Sequence, residues 1–155
     1  METKFNFNSQ VCTSREQSER LLALGLRKET ADCYYWQECD QYGDPNGKWH
    51  LDILNDDTRE HFEYLLNHFG ICLHLEDALF IPAWSLHRLI EMMPKNIAID
   101  GDTAYPLQIQ KRSDGKWCVG YQGWYDCVGD LYDSVIWIYQ LLISEGYLDE
   151  FCNKG

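Results

Sequence analysis

A chain of 155 residues is the size of one domain and can bury a full core without disulfides or a bound metal. Its apolar (45%) and charged (25%) fractions are those of an ordinary folded protein and exclude a disordered one. The 13 basic and 25 acidic residues give a formal net charge of −12, which repels phosphate backbones and anionic lipids, so we expect neither direct nucleic-acid binding nor membrane binding.

The negative charge is densest in residues 28–63, which carry ten acidic and three basic side chains. We interpret this segment as a solvated acidic face that favours solubility. Two sharper interpretations stay open: a surface that docks on a basic protein, and a surface that imitates the charge of nucleic acid.

A first helix is predicted near the N-terminus of the chain. Thr13, followed by Glu16 three positions later, has the spacing of a capping box and predicts a helix over about residues 14–24. Gly25 is expected to end it.

The next segment predicts a hairpin followed by two helices. The aromatic residues 34–36 and the alternating residues 48–53 predict two strands, and the Asp-Pro-Asn-Gly sequence at 44–47 predicts the turn that joins them. Apolar residues at helical spacing predict a second helix over 57–69 and a third helix that ends at Pro94.

Two loop lengths can close a second hairpin, and the pairing of apolar residues decides between them. A two-residue loop would place Trp117 opposite Arg112, whereas a three-residue loop over 113–115 places Val119 opposite Ile109. The apolar match selects the three-residue loop, with its glycine in the left-handed region. Four side chains should then point away from the core: Gln110, Arg112, Cys118 and Gln122.

The last predicted helix, over about residues 130–145, is apolar over most of its circumference. Such a helix is central to a core or is shared with another subunit, so we consider a homodimer through this helix.

The predicted fold class is α+β, with two antiparallel hairpins packed against about four helices. The order is helix–hairpin–helix, and the recurrence of the Gly-Lys-Trp sequence of 47–49 at 115–117 raises the idea that this unit occurs twice. Residues 1–12 are polar and are predicted to form a disordered tail before a single domain over residues 13–155.

Seven cysteines are spread along the chain: Cys12, Cys33, Cys39, Cys72, Cys118, Cys127 and Cys152. The odd number, and an N-terminus without an apolar signal segment, do not fit a secreted disulfide scaffold. No apolar run is as long as a membrane span. We therefore expect reduced thiols and a cytoplasmic location.

Three segments carry a resemblance to other sequences: residues 16–26 (EQSERLLALGL), 29–32 (ETAD) and 81–86 (IPAWSL). With the last helix and residues 146–148, they cover about half of the chain. They resemble a group of small, uncharacterised proteins of gut-dwelling anaerobic bacteria and of their prophages and mobile elements. That group has no known activity, cofactor or catalytic residue, so the resemblance implies only a bacterial or phage protein of the cytoplasm.

Common catalytic motifs are absent from the sequence: there is no G-x-S-x-G, P-loop, dinucleotide-binding glycine motif or C-x-x-C pair. The strongest metal candidate is the group His61, His68, Cys72 and His74, whose spacing matches no zinc motif. We interpret these side chains as ordinary half-exposed residues and expect neither a metal nor a cofactor.

Nucleophilic and acid–base chemistry stays open, because such partners meet in space rather than in sequence. Cys118 lies at a polar-facing strand position, and Cys127 precedes a helix whose N-terminus would stabilise a thiolate. We interpret both as small buried or incidental thiols. The three acids Asp126, Asp130 and Asp133 could form a carboxylate pair, but helix capping already explains them.

Aromatic residues give the most credible binding site. The chain has six Trp and ten Tyr, more rings than one core normally buries, and aromatic and Arg side chains are enriched at interfaces. The candidate binding residues are Tyr34, Trp36, Trp84, Arg88, Trp124 and Tyr125. The alternative is that these rings cover edges of the core.

The leading functional hypothesis is a non-catalytic protein-interaction module, whose partner is a basic protein if the acidic segment is the docking surface. One alternative is an acidic inhibitor or nucleic-acid mimic from a mobile element. The other is a small thiol- or metal-dependent enzyme, against which the missing motifs count.

Overall fold

The computed structural model describes residues 9–39, 42, 45–60, 80–98 and 100–153. Several sequence predictions therefore lie outside the described residues: the tail through residue 8, the second predicted helix beyond residue 60, and the four candidate zinc ligands between positions 61 and 74.

The described part of the chain is α+β, as predicted. Its longer helices are α1 (Arg15–Ala23), α2 (Leu86–Met92) and α3 (Leu131–Ser144), with helical residues at 56–60 and 3-10 turns at Lys28–Thr30 and Asp149–Phe151. Its strands are β1 (Cys33–Cys39), β2 (Pro45–Ile53), β3 (Phe80–Ala83), β4 (Asn96–Ile97), β5 (Tyr105–Pro106), β6 (Gln108–Lys111), β7 (Trp117–Tyr121) and β8 (Trp124–Gly129).

The strands form three small antiparallel sheets, with the orders β2–β1–β3, β4–β5 and β6–β7–β8. Both predicted hairpins are present, as β1–β2 and β6–β7. The turn predicted at 44–47 is wrong, because residues 45–47 belong to β2 and Pro45 pairs with Cys39. Each hairpin gains a third strand that the sequence pattern did not indicate. The repeated helix–hairpin–helix order stays a prediction.

The N-cap of the first helix lies one residue later in the chain than predicted. Ser14 is the N-cap, and it forms the capping box with Gln17: the Gln17 amide donates to the Ser14 hydroxyl at 3.1 Å, and the Ser14 amide donates to the Gln17 side-chain oxygen at 3.0 Å. Thr13 and Glu16 were the wrong pair because the Thr13 hydroxyl is used elsewhere. It is buried, bonds the Ser18 hydroxyl at 2.7 Å and accepts from the Trp84 amide at 3.1 Å.

The register predicted for the second hairpin is confirmed. Val119 lies opposite Ile109, Trp117 lies opposite Lys111, and Gly115 has φ of 85°. The Arg112 amide donates to the Lys116 carbonyl at 2.8 Å and so closes a loop of three residues. Gln110, Arg112 and Gln122 are exposed as expected.

Cys118 departs from that expectation, because it is only 1% exposed. It is joined to Cys127 of the neighbouring strand β8 by a disulfide, with 4.1 Å between their Cα atoms. The bond folds the Cys118 side chain against its own sheet, which explains why a position on the polar face is buried.

A second disulfide joins Cys12 to Cys33, with a Cα–Cα distance of 6.9 Å. The expectation of reduced thiols is therefore wrong for four of the cysteines, while Cys152 is a free thiol. Cys12 was also assigned to the disordered tail, yet it is buried and forms a β-bridge with Ser85. Spacing along the chain carries no information on which cysteines meet, so the pairing could not be predicted.

The helix α3 lies at the centre of the core, as its apolar circumference predicted. Seven of its residues are buried within the chain: Tyr132, Ser134, Val135, Ile136, Ile138, Tyr139 and Leu142. They pack with α1, α2, β7 and the segment after α3 into one cluster that includes Leu21, Leu89, Val119 and Leu148. Burial of this apolar surface is the main source of the fold's stability.

None of the helices in the described part of the chain combines the length and the apolar composition that crossing a membrane requires.

Candidate functional site

Two of the six predicted binding residues are core residues in the structure. Tyr34 is 2% exposed and Trp84 is fully buried. The Trp84 indole N–H donates to the Thr30 hydroxyl at 2.9 Å, so its polar atom is satisfied inside the protein. Neither ring is presented to a partner at the surface.

Trp36 is half-buried on the first sheet and is held in place by β2. Its ring stacks on His50, directly opposite in the sheet, with 4.3 Å between the ring centroids and 22° between the planes. Its indole N–H donates to an Asp52 carboxylate oxygen at 2.6 Å. The ring is therefore pre-positioned by its neighbours, as interface aromatics often are.

Trp124 and Tyr125 are neighbours in β8 but point to opposite faces of its sheet. Trp124 is half-buried and meets the ring of Tyr147 edge-on, with 5.9 Å between the centroids. Tyr125 is 38% exposed, and its hydroxyl donates to the Gln110 side-chain oxygen at 3.1 Å. These two residues thus belong to different surfaces and do not form one site.

Arg88 lines an open, charged cleft of about 370 Å³ between α2, the segment around Asp32 and the helical residues 56–60. Eight residues of the described ranges line this cleft: Glu29, Ala31, Asp32, Leu54, Arg59, His87, Arg88 and Glu91. Six of the eight are ionisable, so the cleft suits a polar or charged ligand.

Arg88 is fixed in the cleft by two bonds. Its Nε donates to the Thr30 carbonyl at 2.9 Å, and its Nη1 donates to Glu91 at 2.8 Å. Because Thr30 also accepts the indole N–H of the buried Trp84, the core holds the guanidinium in place. The hydrogen bond from Arg88 holds the pKa of the exposed Glu91 carboxyl below its usual value.

Asp32 is fully engaged on the other side of the cleft. One carboxylate oxygen accepts from the Ser85 amide at 2.8 Å, and the other accepts from the Ser85 hydroxyl. The same hydroxyl accepts from the Arg88 amide at 3.1 Å and caps α2. Ser85 is therefore a structural cap, whose hydroxyl donates to Asp32 and accepts from the Arg88 amide.

Three other ionisable groups of the cleft are unengaged. Glu29, Arg59 and His87 are exposed, and none of their side chains forms an ion pair or a hydrogen bond with any residue that the structure describes. A carboxylate and a guanidinium in one cleft, each without a partner among the described residues, can take up a cationic and an acceptor group of a ligand without breaking a bond to those residues.

The described residues offer little for thiol or metal chemistry. Cys118 and Cys127, the candidate nucleophiles, are bonded to each other and present no thiolate. Burial raises the pKa of the Cys152 thiol, which keeps it protonated near neutral pH. Among residues 9–39, 45–60, 80–98 and 100–153, no group of His, Cys, Asp and Glu side chains could hold a metal ion.

Sequence reasoning found Arg88 but missed the rest of the cleft. Glu29, Asp32 and Arg59 belong to the acidic segment 28–63, whose charge was noted without a position for any single residue. The Ser85 cap has no capping-box partner three residues later, because that position is Arg88, so the usual sequence pattern was absent.

Comparisons with protein-family models, with curated proteins and with solved structures found no match to this chain.

Proposed function

We propose that this chain is a non-catalytic module that binds a basic segment of a protein partner at the charged cleft. The observation that carries the proposal is a pair of ionic side chains in the cleft, Glu29 and Arg59, that no described residue engages, next to carboxylates that are already bonded to the fold. Glu29 would pair with a Lys or Arg side chain of the partner. Arg59 would donate to a main-chain carbonyl or an acidic side chain of the same segment.

The charge of the whole chain supports a basic partner. A net charge of −12 attracts cationic ligands and speeds their association, and it opposes an anionic ligand in spite of Arg59. The hydrogen bonds within the cleft support binding rather than catalysis, because Arg88 and Asp32 each form two bonds that the fold already uses.

A peptide array tests this proposal. Peptides with isolated and clustered Lys or Arg residues should bind the wild-type protein, and the double change Glu29→Gln with Arg59→Gln should weaken that binding by about tenfold. The control is Glu19→Gln, which removes one exposed negative charge from α1, outside the cleft. The double change leaves the net charge as it is, whereas the control removes one negative charge. Weaker binding by the control with unchanged binding by the double variant would mean that only the overall charge matters, and the cleft would be excluded.

The other expectations stay predictions beside this proposal. They are the bacterial or phage origin that the resemblance implies, the cytoplasmic location, the homodimer through residues 130–145 and the activity as an inhibitor or nucleic-acid mimic. Sedimentation of the purified protein tests the homodimer directly.

A further inference from the structure

The two disulfides differ in how far solvent reaches them. Cys12 and Cys33 are 1% and 2% exposed, and they pack with Ala83 and Tyr35 in a cluster of their own. In the other bond Cys118 is as deeply buried, but Cys127 is half-exposed at the surface of the third sheet. Of the four bonded cysteines, Cys127 is therefore the residue that solvent reaches, and the side from which we expect a thiol in solution to approach.

The exposed bond also lies where the β7–β8 ladder is irregular. Trp117 pairs with Gly129 and Val119 pairs with Asp126, so one residue of β7 between these pairs faces two residues of β8. This is the geometry of a β-bulge, at which the backbone hydrogen bonds are interrupted. The disulfide therefore links β7 and β8 at the point where the backbone hydrogen bonds between the two strands are interrupted.

We propose that Cys118–Cys127 is a thiol-exchange site, attacked at Cys127 by a low-molecular-weight thiol such as glutathione, and that Cys12–Cys33 is a structural bond. The attacking thiolate forms a bond to Cys127 Sγ as the Sγ–Sγ bond breaks. Cys118 leaves as a thiolate and takes a proton from solvent. A second thiol then attacks the mixed disulfide, which releases the Cys127 thiolate and one oxidised thiol dimer, so two electrons pass from two thiols to the protein disulfide.

Burial determines which of the two sulfur atoms is attacked in this exchange. Access decides which sulfur of a disulfide is attacked, and Cys118 is shielded on its own sheet, so the mixed disulfide should form on Cys127. The exchange releases a covalent link of β8, the strand that carries Tyr125, and leaves α3 packed on the opposite face of the sheet.

The experiment follows the reduction of both bonds in the native protein. The chain is incubated with glutathione under native conditions, quenched with acid, alkylated with N-ethylmaleimide and mapped by peptide mass spectrometry. Cys118 and Cys127 should become labelled at least about ten times faster than Cys12 and Cys33, because a buried bond must wait for local unfolding. Equal rates, or faster release of Cys12–Cys33, would overturn the proposal.

Two single variants test the direction. With Cys118→Ala, oxidised glutathione should form an adduct on Cys127, whereas with Cys127→Ala it should add to Cys118 at least about tenfold more slowly. An adduct that forms equally fast on either cysteine contradicts the assignment of the attacked sulfur. If either variant fails to fold, the trapped mixed disulfide in the wild-type protein decides the same question, because it must be found on Cys127.

Discussion

The buried indole N–H of Trp84 donates to the hydroxyl of Thr30 at 2.9 Å, and the Thr30 carbonyl in turn accepts from Arg88. One residue thus connects the core to the charged cleft. Thr30→Val keeps the shape of the side chain but removes this acceptor, together with the bond that the Thr30 hydroxyl donates to the Arg27 carbonyl at 2.6 Å. We expect a loss of about 1–3 kcal/mol in the free energy of unfolding, because the indole N–H stays buried without a partner.

Urea denaturation followed by tryptophan fluorescence measures this loss. The matched control is Thr103→Val, at an exposed position where only the backbone amide is hydrogen-bonded, and its effect should stay within about 0.5 kcal/mol. The same cost in both variants would show that the Trp84–Thr30 bond contributes nothing to stability.

Two glycines with positive φ should respond differently to alanine. Gly115 has φ of 85° and open space where a Cβ would lie, so Gly115→Ala adds only backbone strain, about 1 kcal/mol. At Gly120 a Cβ would overlap the carbonyl oxygen of Trp124, in addition to φ of 153°. Gly120→Ala should therefore cost more than about 3 kcal/mol in thermal or urea unfolding, and a smaller loss there than at Gly115 would contradict the close approach of β7 and β8.

Stability should fall in alkaline solution because of two buried tyrosines. Burial raises the pKa of Tyr121 and of Tyr139 well above the value of about 10 that they have in the unfolded chain. The unfolded state then releases protons that the folded state retains, so stability is complete below about pH 10 and declines as the pH rises beyond it.

Urea unfolding between neutral and alkaline pH measures this decline, and Tyr121→Phe provides the comparison. The variant loses the hydrogen bond from the hydroxyl to the Pro94 carbonyl, which lowers its stability at every pH. Its decline above pH 10 should nevertheless be shallower than that of the wild type, since one titrating group is gone. Parallel declines would exclude Tyr121 as a source of the effect.

The pattern of apolar residues along the sequence predicted the register of the second hairpin and the central position of α3. The loop closed by Gly115 followed from pairing Val119 with Ile109, because a slip of one residue would turn every side chain to the other face. The central position of α3 followed from its apolar circumference.

The missed features all depend on contacts between distant segments. Cys12 meets Cys33, and Asp32 meets Ser85, across separations that no spacing rule covers. The sequence pattern assigned the capping box to Thr13 because its spacing fits. In the structure the Thr13 hydroxyl accepts from the Trp84 amide instead, so it does not cap the helix. The described lining of the cleft comes from three separate segments of the chain, at 29–32, 54–59 and 87–91, so the sequence could not indicate that these residues meet.

A nuclear magnetic resonance titration of the isotope-labelled protein with the tightest-binding basic peptide of the array locates the binding surface residue by residue. If the peptide binds at the cleft, the largest changes in amide chemical shift occur at Glu29, Asp32, Arg59 and His87, and they disappear in the Glu29→Gln, Arg59→Gln variant. Changes centred on Tyr125 or on α1, with the cleft unaffected, would contradict the proposal, as would the failure of every basic peptide to bind.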